Sequence, residues 1–228
     1  MVITFRVFVC ASALAAVSCA APDVASDRTP AADAQRTVRP ATAATLPRIV
    51  FLGDSLTAGH GLAREHSVPS LIQARLDAAG YRYEVINAGV SGDTSAGGLS
   101  RLDWSLDGDV DVLVIELGAN DGLRGLPPSG MKRNLTEIIT RAKQRNIAVI
   151  LTGMEAPPNY GAVYTTEFRQ VFRDLARAHD VAFVPFFLEG VAGIQSLNNS
   201  DGLHPNPAGA RIIEQTIWRA LEPVLEKS

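Results

Sequence analysis

From Arg48 onward the chain alternates between two hydrophobic rhythms. Short runs of apolar, largely β-branched residues occur at Ile49–Leu52, Tyr83–Ile86, Val110–Leu117, Ile147–Leu151 and Val181–Phe187. A strand exposed on one face alternates apolar with polar positions, so runs apolar at consecutive positions predict strands covered on both faces of a parallel sheet. Between the runs the spacing changes to three and four. Met131, Leu135, Ile138, Ile139 and Ala142 share one helical face, and so do Phe168, Val171, Phe172, Leu175 and Ala176. A last helix is announced by Asn206, a good N-cap, and by Pro207, whose missing N–H costs nothing at the first helical position. Ile212, Ile213, Thr216, Ile217, Ala220 and Leu221 line its inner face, and Pro223 should end or kink it. The alternation predicts an α/β fold: one three-layer domain over residues 48–228 with about five parallel strands, no internal repeat and no second domain.

The start of the chain follows neither rhythm. Arg6 is the only charge before Asp23, and residues 7 to 21 are almost all apolar or small. Residues 1–20 therefore read as a secretory signal peptide, and export to the periplasm or attachment to the bacterial envelope is expected. Both cysteines of the chain, Cys10 and Cys19, lie in this segment, which leaves the body without a disulfide. Cys19, in Ala16-Val17-Ser18-Cys19, loosely resembles a lipoprotein box and is a candidate for lipid anchoring to a membrane; cleavage after Ala20 or Ala21 fits nearly as well. Residues 21–47, with Pro22, Pro30, Pro40 and Pro47 and few large apolar side chains, read as a disordered linker.

Charge narrows the range of partners. A net charge of −3 offers nucleic acid no basic face. No apolar run in the body approaches the roughly 20 residues of a membrane-spanning helix. A soluble monomer acting on a small molecule is expected.

Four short segments fall at or near strand ends, where open parallel sheets bind ligands. The first, Gly53-Asp54-Ser55-Leu56, follows the first strand and opens a helix at Ser55, on a turn that Gly53 permits. Taken alone, such a serine is more often a helix cap than a nucleophile. Asp54 suits a structural role, bonding nearby amides; no general-base role is assigned to it, and it joins the substrate-contact set. The second, Asn87 to Ser95, holds Gly92, where a backbone N–H can approach a substrate oxygen. The third, Leu117-Gly118-Ala119-Asn120-Asp121, offers the Asn120 amide as an oxyanion donor; alone, it is an ordinary turn asparagine. The fourth, Asp201-Gly202-Leu203-His204-Pro205-Asn206, places a carboxylate three residues before an imidazole. Asp201 can take the Nδ1 proton and leave Nε2 free to accept one from a serine. An Asp-x-x-His pair also occurs in surface contacts and metal sites. No metal is expected, because the body has no cysteine and His60, His66 and His179 show no ligand spacing. His60 is near Ser55 in sequence and suits the site rim, His66 a helix start, and His179 a solvated helix end. Trp104, Trp218 and the phenylalanines are expected in the core.

The order Ser55, Gly92, Asn120, His204 closely resembles the SGNH (GDSL-type) hydrolases, and in particular the branch of bacterial acyl-CoA thioesterase/lysophospholipase and arylesterase enzymes. Further stretches carry the likeness: Ser91 to Ser95, Glu116 to Gly125, Pro157 to Gly161, Val184 to Phe187, and Asp201 to Asn206. It spans roughly Arg48 to Val224. The resemblance implies a flavodoxin-like α/β/α sandwich and a cofactor-free Ser-His-Asp triad formed by Ser55, His204 and Asp201. It also implies an oxyanion hole of the Ser55 and Gly92 amides and the Asn120 side chain, with esters or thioesters as substrates. Ala119 stands where the branch often has a second glycine, which would trim space beside the acyl group. Met154, Pro157, Pro158 and Tyr160 lean toward an apolar site, and Pro158 and Tyr160 are expected to contact substrate. An acetyl esterase acting on a polysaccharide would use the same triad in open, polar surroundings. A catalytically dead binding protein is disfavoured by the complete set of side chains.

Overall fold

The computed structural model describes residues 46–225. The expected signal peptide, Cys19 and nearly all of the expected linker lie outside the described residues. Five strands, β1 (Arg48–Gly53), β2 (Glu84–Gly89), β3 (Val110–Glu116), β4 (Ala148–Thr152) and β5 (Ala182–Val184), form one parallel sheet in the order β2-β1-β3-β4-β5. This is the flavodoxin-like order, with its topological switch point between β1 and β3. The central strands are buried as their apolar runs require: Ile49, Val50, Phe51 and Leu52 in β1, Leu113, Val114 and Ile115 in β3, Ile150 and Leu151 in β4.

Helices α1 (Ser55–Ala58), α2 (Val68–Ala79), α3 (Ser95–Ser100), α4 (Leu102–Ser105), α5 (Ala119–Leu123), α6 (Pro128–Gln144), α7 (Ala162–His179) and α8 (Pro207–Leu221) complete the fold. In one helical layer α2 packs on α8; in the other α6 packs against α3 and α7. The predicted inner faces are the ones buried, Met131 to Ala142 on α6 and Phe168 to Ala176 on α7. Asn206 caps α8, its Oδ1 accepting from the amides of Ala208 and Gly209. With no cysteine in the domain, stability rests on this packing, at about 1.5–3 kcal/mol for each fully buried large apolar side chain.

Three expectations need correction. The run Val181–Phe187 contributes only Ala182–Val184 to the sheet, because Pro185 has no N–H with which to extend the ladder. The chain turns there, and the amide of Phe187 bonds the carbonyl of Gly153 instead (2.9 Å). Strand β2 is an edge strand, so Glu84 and Asn87 are exposed. Trp104 is 75% exposed: α4 is a single turn whose buried positions, Leu102 and Ser105, leave the indole pointing outward. Trp218 is buried, edge-on to Tyr81.

Candidate active site

The switch point gathers groups from four segments. At the end of β1 the backbone passes through Asp54 directly into α1. Gly53 is required here for close approach: a Cβ on it would lie 2.0 Å from Thr57 Oγ1 and 2.8 Å from Glu116 Oε2. Asp54 is the N-cap of α1, its Oδ1 accepting from the Leu56 amide (3.0 Å). Ser55 thus becomes the first residue of the helix, half-buried at the floor of a cavity.

The loop before α8 brings the base to it. Asp201 Oδ1 accepts from the amides of Leu203 (2.9 Å) and His204 (3.0 Å), and Oδ2 lies 2.6 Å from His204 Nδ1. These bonds, the His204 amide first, hold the Asp201 carboxyl far below the ordinary carboxylate range. An ionised carboxylate only accepts, so Nδ1 carries the imidazole proton. Nε2 is left to accept from Ser55 Oγ, 2.9 Å away. Ser55, His204 and Asp201 therefore form one continuous hydrogen-bonded chain.

Two backbone donors face the same space. Gly92 adopts φ +86°, a left-handed conformation that an L side chain would strain. Neither its N–H nor that of Ser55 is hydrogen-bonded to another group among the described residues. Asn120 differs from expectation. Its Nδ2 donates to Asp54 Oδ2 (3.0 Å) and to the Asp93 carbonyl (2.9 Å), which occupies both amide hydrogens. The Asp93 segment is itself fixed by Arg101, which bonds Asp93 Oδ2 (2.6 Å) and the Gly53 carbonyl (2.9 Å).

Glu116, at the end of β3, was not singled out by the sequence. It is fully buried, with Oε2 accepting from Thr57 Oγ1 (2.9 Å) and the Asp54 amide (3.2 Å). Its carboxyl meets that of Asp54. Burial, and then the Asp54 charge, push Glu116 well above the ordinary range for a glutamate; burial also raises Asp54. It opens the Glu116 to Gly125 stretch that carries the family likeness, but that stretch assigns the acid no role, and the other signal was its charge at the end of an otherwise apolar strand.

The cavity above Ser55 measures about 530 Å³. Its wall includes Leu56, Leu123, Met154, Ala156, Phe186 and Leu188, with Ala119 and Pro157 among the other lining residues. Pro158 and Tyr160 stand outside it. They form a 3₁₀ turn next to the lining residue Pro157, and the Tyr160 hydroxyl donates to the Leu123 carbonyl (2.9 Å). Asp54 reaches the wall, yet it is fully buried and its carboxylate is engaged by Leu56, Asn120 and Glu116, so it supports the site from beneath. His60 lies on the rim with its ring 4.6 Å from that of His204. Donor atoms of His60, Asp201 and His204 fall within 4.8 Å of one another, a proximity hidden by their sequence spacing. Asp201 and His204, however, approach to 2.6 Å, closer than the roughly 3.3 Å separating two ligands of a tetrahedral zinc with 2.0–2.1 Å bonds. A proton shared between these two atoms accounts for the short approach.

Comparison with known proteins agrees with this geometry. Residues 51–212 match the GDSL-like Lipase/Acylhydrolase family. Esterase TesA of Pseudomonas aeruginosa is 43% identical over 178 residues, covering 78% of this chain and 89% of the relative. An arylesterase of Vibrio mimicus is 41% identical, covering 76% and 88%. The Thioesterase 1/protease 1/lysophospholipase L1 of Escherichia coli is 35% identical, covering 80% and 87%. Among solved structures, that of TesA superposes with a TM-score of 0.75 at 42% identity, over 78% of this chain and 99% of the other. AlinE4, an SGNH-hydrolase family esterase, gives 0.66 at 39%, over 80% and 98%. With the fold, the serine–imidazole–carboxylate chain and these relatives in agreement, the protein belongs to the GDSL-like lipase/acylhydrolase family and is a serine ester hydrolase.

Proposed function

We propose that the protein hydrolyses esters and thioesters of apolar acyl groups by a two-step transfer through Ser55. Ser55 Oγ attacks the acyl carbon while its proton passes to His204 Nε2, and Asp201 stabilises the imidazolium that forms. The oxyanion receives the N–H groups of Ser55 and Gly92. A third comes from Asn120: the hydrogen on the neutral Asp93 carbonyl is the one exchanged, since the bond to charged Asp54 is the stronger. Collapse of the tetrahedral intermediate expels the alcohol or thiol, protonated by His204. Water, deprotonated in turn by His204, attacks the acyl-enzyme, releases the carboxylic acid and restores Ser55.

The apolar wall meeting Ser55 carries the choice of substrate. It favours an acyl chain over a polysaccharide acetyl group, which calls for open, polar surroundings. Hydrolysis of p-nitrophenyl esters from acetate upward tests this. Each CH₂ buried in the cavity is expected to raise kcat/KM about fourfold, the equivalent of about 0.8 kcal/mol, until the cavity is full. Ser55→Ala is expected to abolish turnover. Activity on acetate alone would redirect the reading to the carbohydrate acetyl esterase, and a fully active Ser55→Ala would end it.

Export, with lipid on Cys19, belongs to the same reading and rests on the apolar start of the chain. Membrane fractionation of the full chain and of Cys19→Ala tests it: the lipid reading requires the variant alone to leave the membrane fraction.

A further inference from the structure

The carboxyl oxygen Oε1 of Glu116 is buried and makes no hydrogen bond to any donor. Were Glu116 ionised, a bare anionic oxygen would sit beside the Asp54 carboxylate in a fully buried site. Such a charge costs several kcal/mol unless it is paired. No cation pairs with it among the described residues: the nearby Arg101 bonds the Gly53 carbonyl, Asp93 and Ser105 instead. A proton on Oε1 removes the charge and turns the orphan acceptor into a donor. The neighbouring carboxyl is that of Asp54, whose own amide already donates to Glu116 Oε2 (3.2 Å).

We propose that Glu116 is a neutral positioning residue that donates its carboxyl proton to Asp54, which in turn fixes Asn120 as the third oxyanion donor. The inference rests on the acyl-transfer reading above. Asp54 then collects three donors, the Leu56 amide on Oδ1, Asn120 Nδ2 on Oδ2 and the Glu116 hydroxyl. Oε2 of Glu116 keeps its own two, from Thr57 and the Asp54 amide. Every polar atom of the pair is thereby satisfied, and one N–H of Asn120 is tied to a carboxylate that cannot swing away. The direction in which burial and Asp54 push Glu116 agrees with the neutral form.

A double-mutant cycle on kcat provides the test, using Glu116→Gln, Glu116→Met, Asn120→Ala and the combined variants. A glutamine can give an N–H to Asp54 and accept through its carbonyl, so Glu116→Gln is expected to keep kcat within about threefold of wild type. Glu116→Met fills the space without donating, and should lower kcat by roughly 10- to 100-fold with KM little changed. In an Asn120→Ala background the same change should cost less than about threefold, because the donor it positions is gone. Equal losses in both backgrounds, or a glutamine variant as impaired as the methionine one, would overturn the proposal. Should Glu116→Met not fold, the infrared difference between wild type and Glu116→Gln at neutral pH decides. A protonated-carboxyl band present only in the wild type is expected, and its absence refutes a neutral Glu116. That band is independent of turnover, so a fully active Ser55→Ala would sink the acyl-transfer reading without touching it.

Discussion

At the scale of single residues, Asp201 does two jobs with one carboxylate. Oδ1 holds the loop by accepting the Leu203 and His204 amides, and Oδ2 holds the imidazole. Asp201→Asn separates the two. The side-chain carbonyl can still take the loop amides, so the fold should be kept. The new NH₂ faces Nδ1 and forces the proton onto Nε2, where it blocks transfer from Ser55. A fall in kcat of about 10⁴ is expected, as for the equivalent change in a Ser-His-Asp triad, with the melting temperature within a few degrees of wild type. Steady-state kinetics and a thermal melt check both. A variant keeping more than a tenth of the activity would remove Asp201 from the orienting role.

At the scale of elements, what was legible in the sequence is what local chemistry decides. Asn206 and Pro207 mark the start of α8 because capping needs only neighbouring amides. Strands β1, β3 and β4 show in their apolar runs because a strand buried on both faces has no polar alternative. What lay hidden depends on pairing across the chain. That β2 and β5 are edges follows from strand order, which no run of residues states. Tyr160 lies outside the cavity lining, and its hydroxyl is held by the Leu123 carbonyl, 37 residues away in the chain. Ser55 and His204 stand 149 residues apart, and only their motifs announced a pair. Glu116 opens a stretch that carries the family likeness, yet no role attaches to it there: its meaning comes from Thr57 and Asp54, 59 and 62 residues earlier in the chain. Trp104 was misread because a single-turn helix buries too few positions to show a period.

At the scale of the whole molecule, the buried acid pair ties the stability of the fold to pH. The folded state raises Glu116 above its ordinary value of 4.5 and raises Asp54 as well. Below those ordinary values, folded and unfolded chains both hold the protons. As pH rises, the unfolded chain releases them first, so the folded state binds more protons and stability falls. Asp201 has the opposite sign: its lowered pKa gives stability that is lost only as pH falls through and below the ordinary carboxylate range. Its contribution is common to wild type and Glu116→Gln, and cancels in their difference. The groups facing Glu116 are Asp54 from the β1–α1 turn and Thr57 from α1, with His204 acting on Asp54 from the C-terminal loop. Glu116→Gln keeps the hydrogen bonds and removes the titration. Relative to wild type, the variant should therefore gain stability as pH rises above the ordinary glutamate value of 4.5, because the wild type alone carries a proton that the unfolded state prefers to release. Urea unfolding midpoints across that range measure it. A difference independent of pH would mean that the pair holds no extra proton in the fold, so that Glu116 is ionised and has no hydrogen to give Asp54.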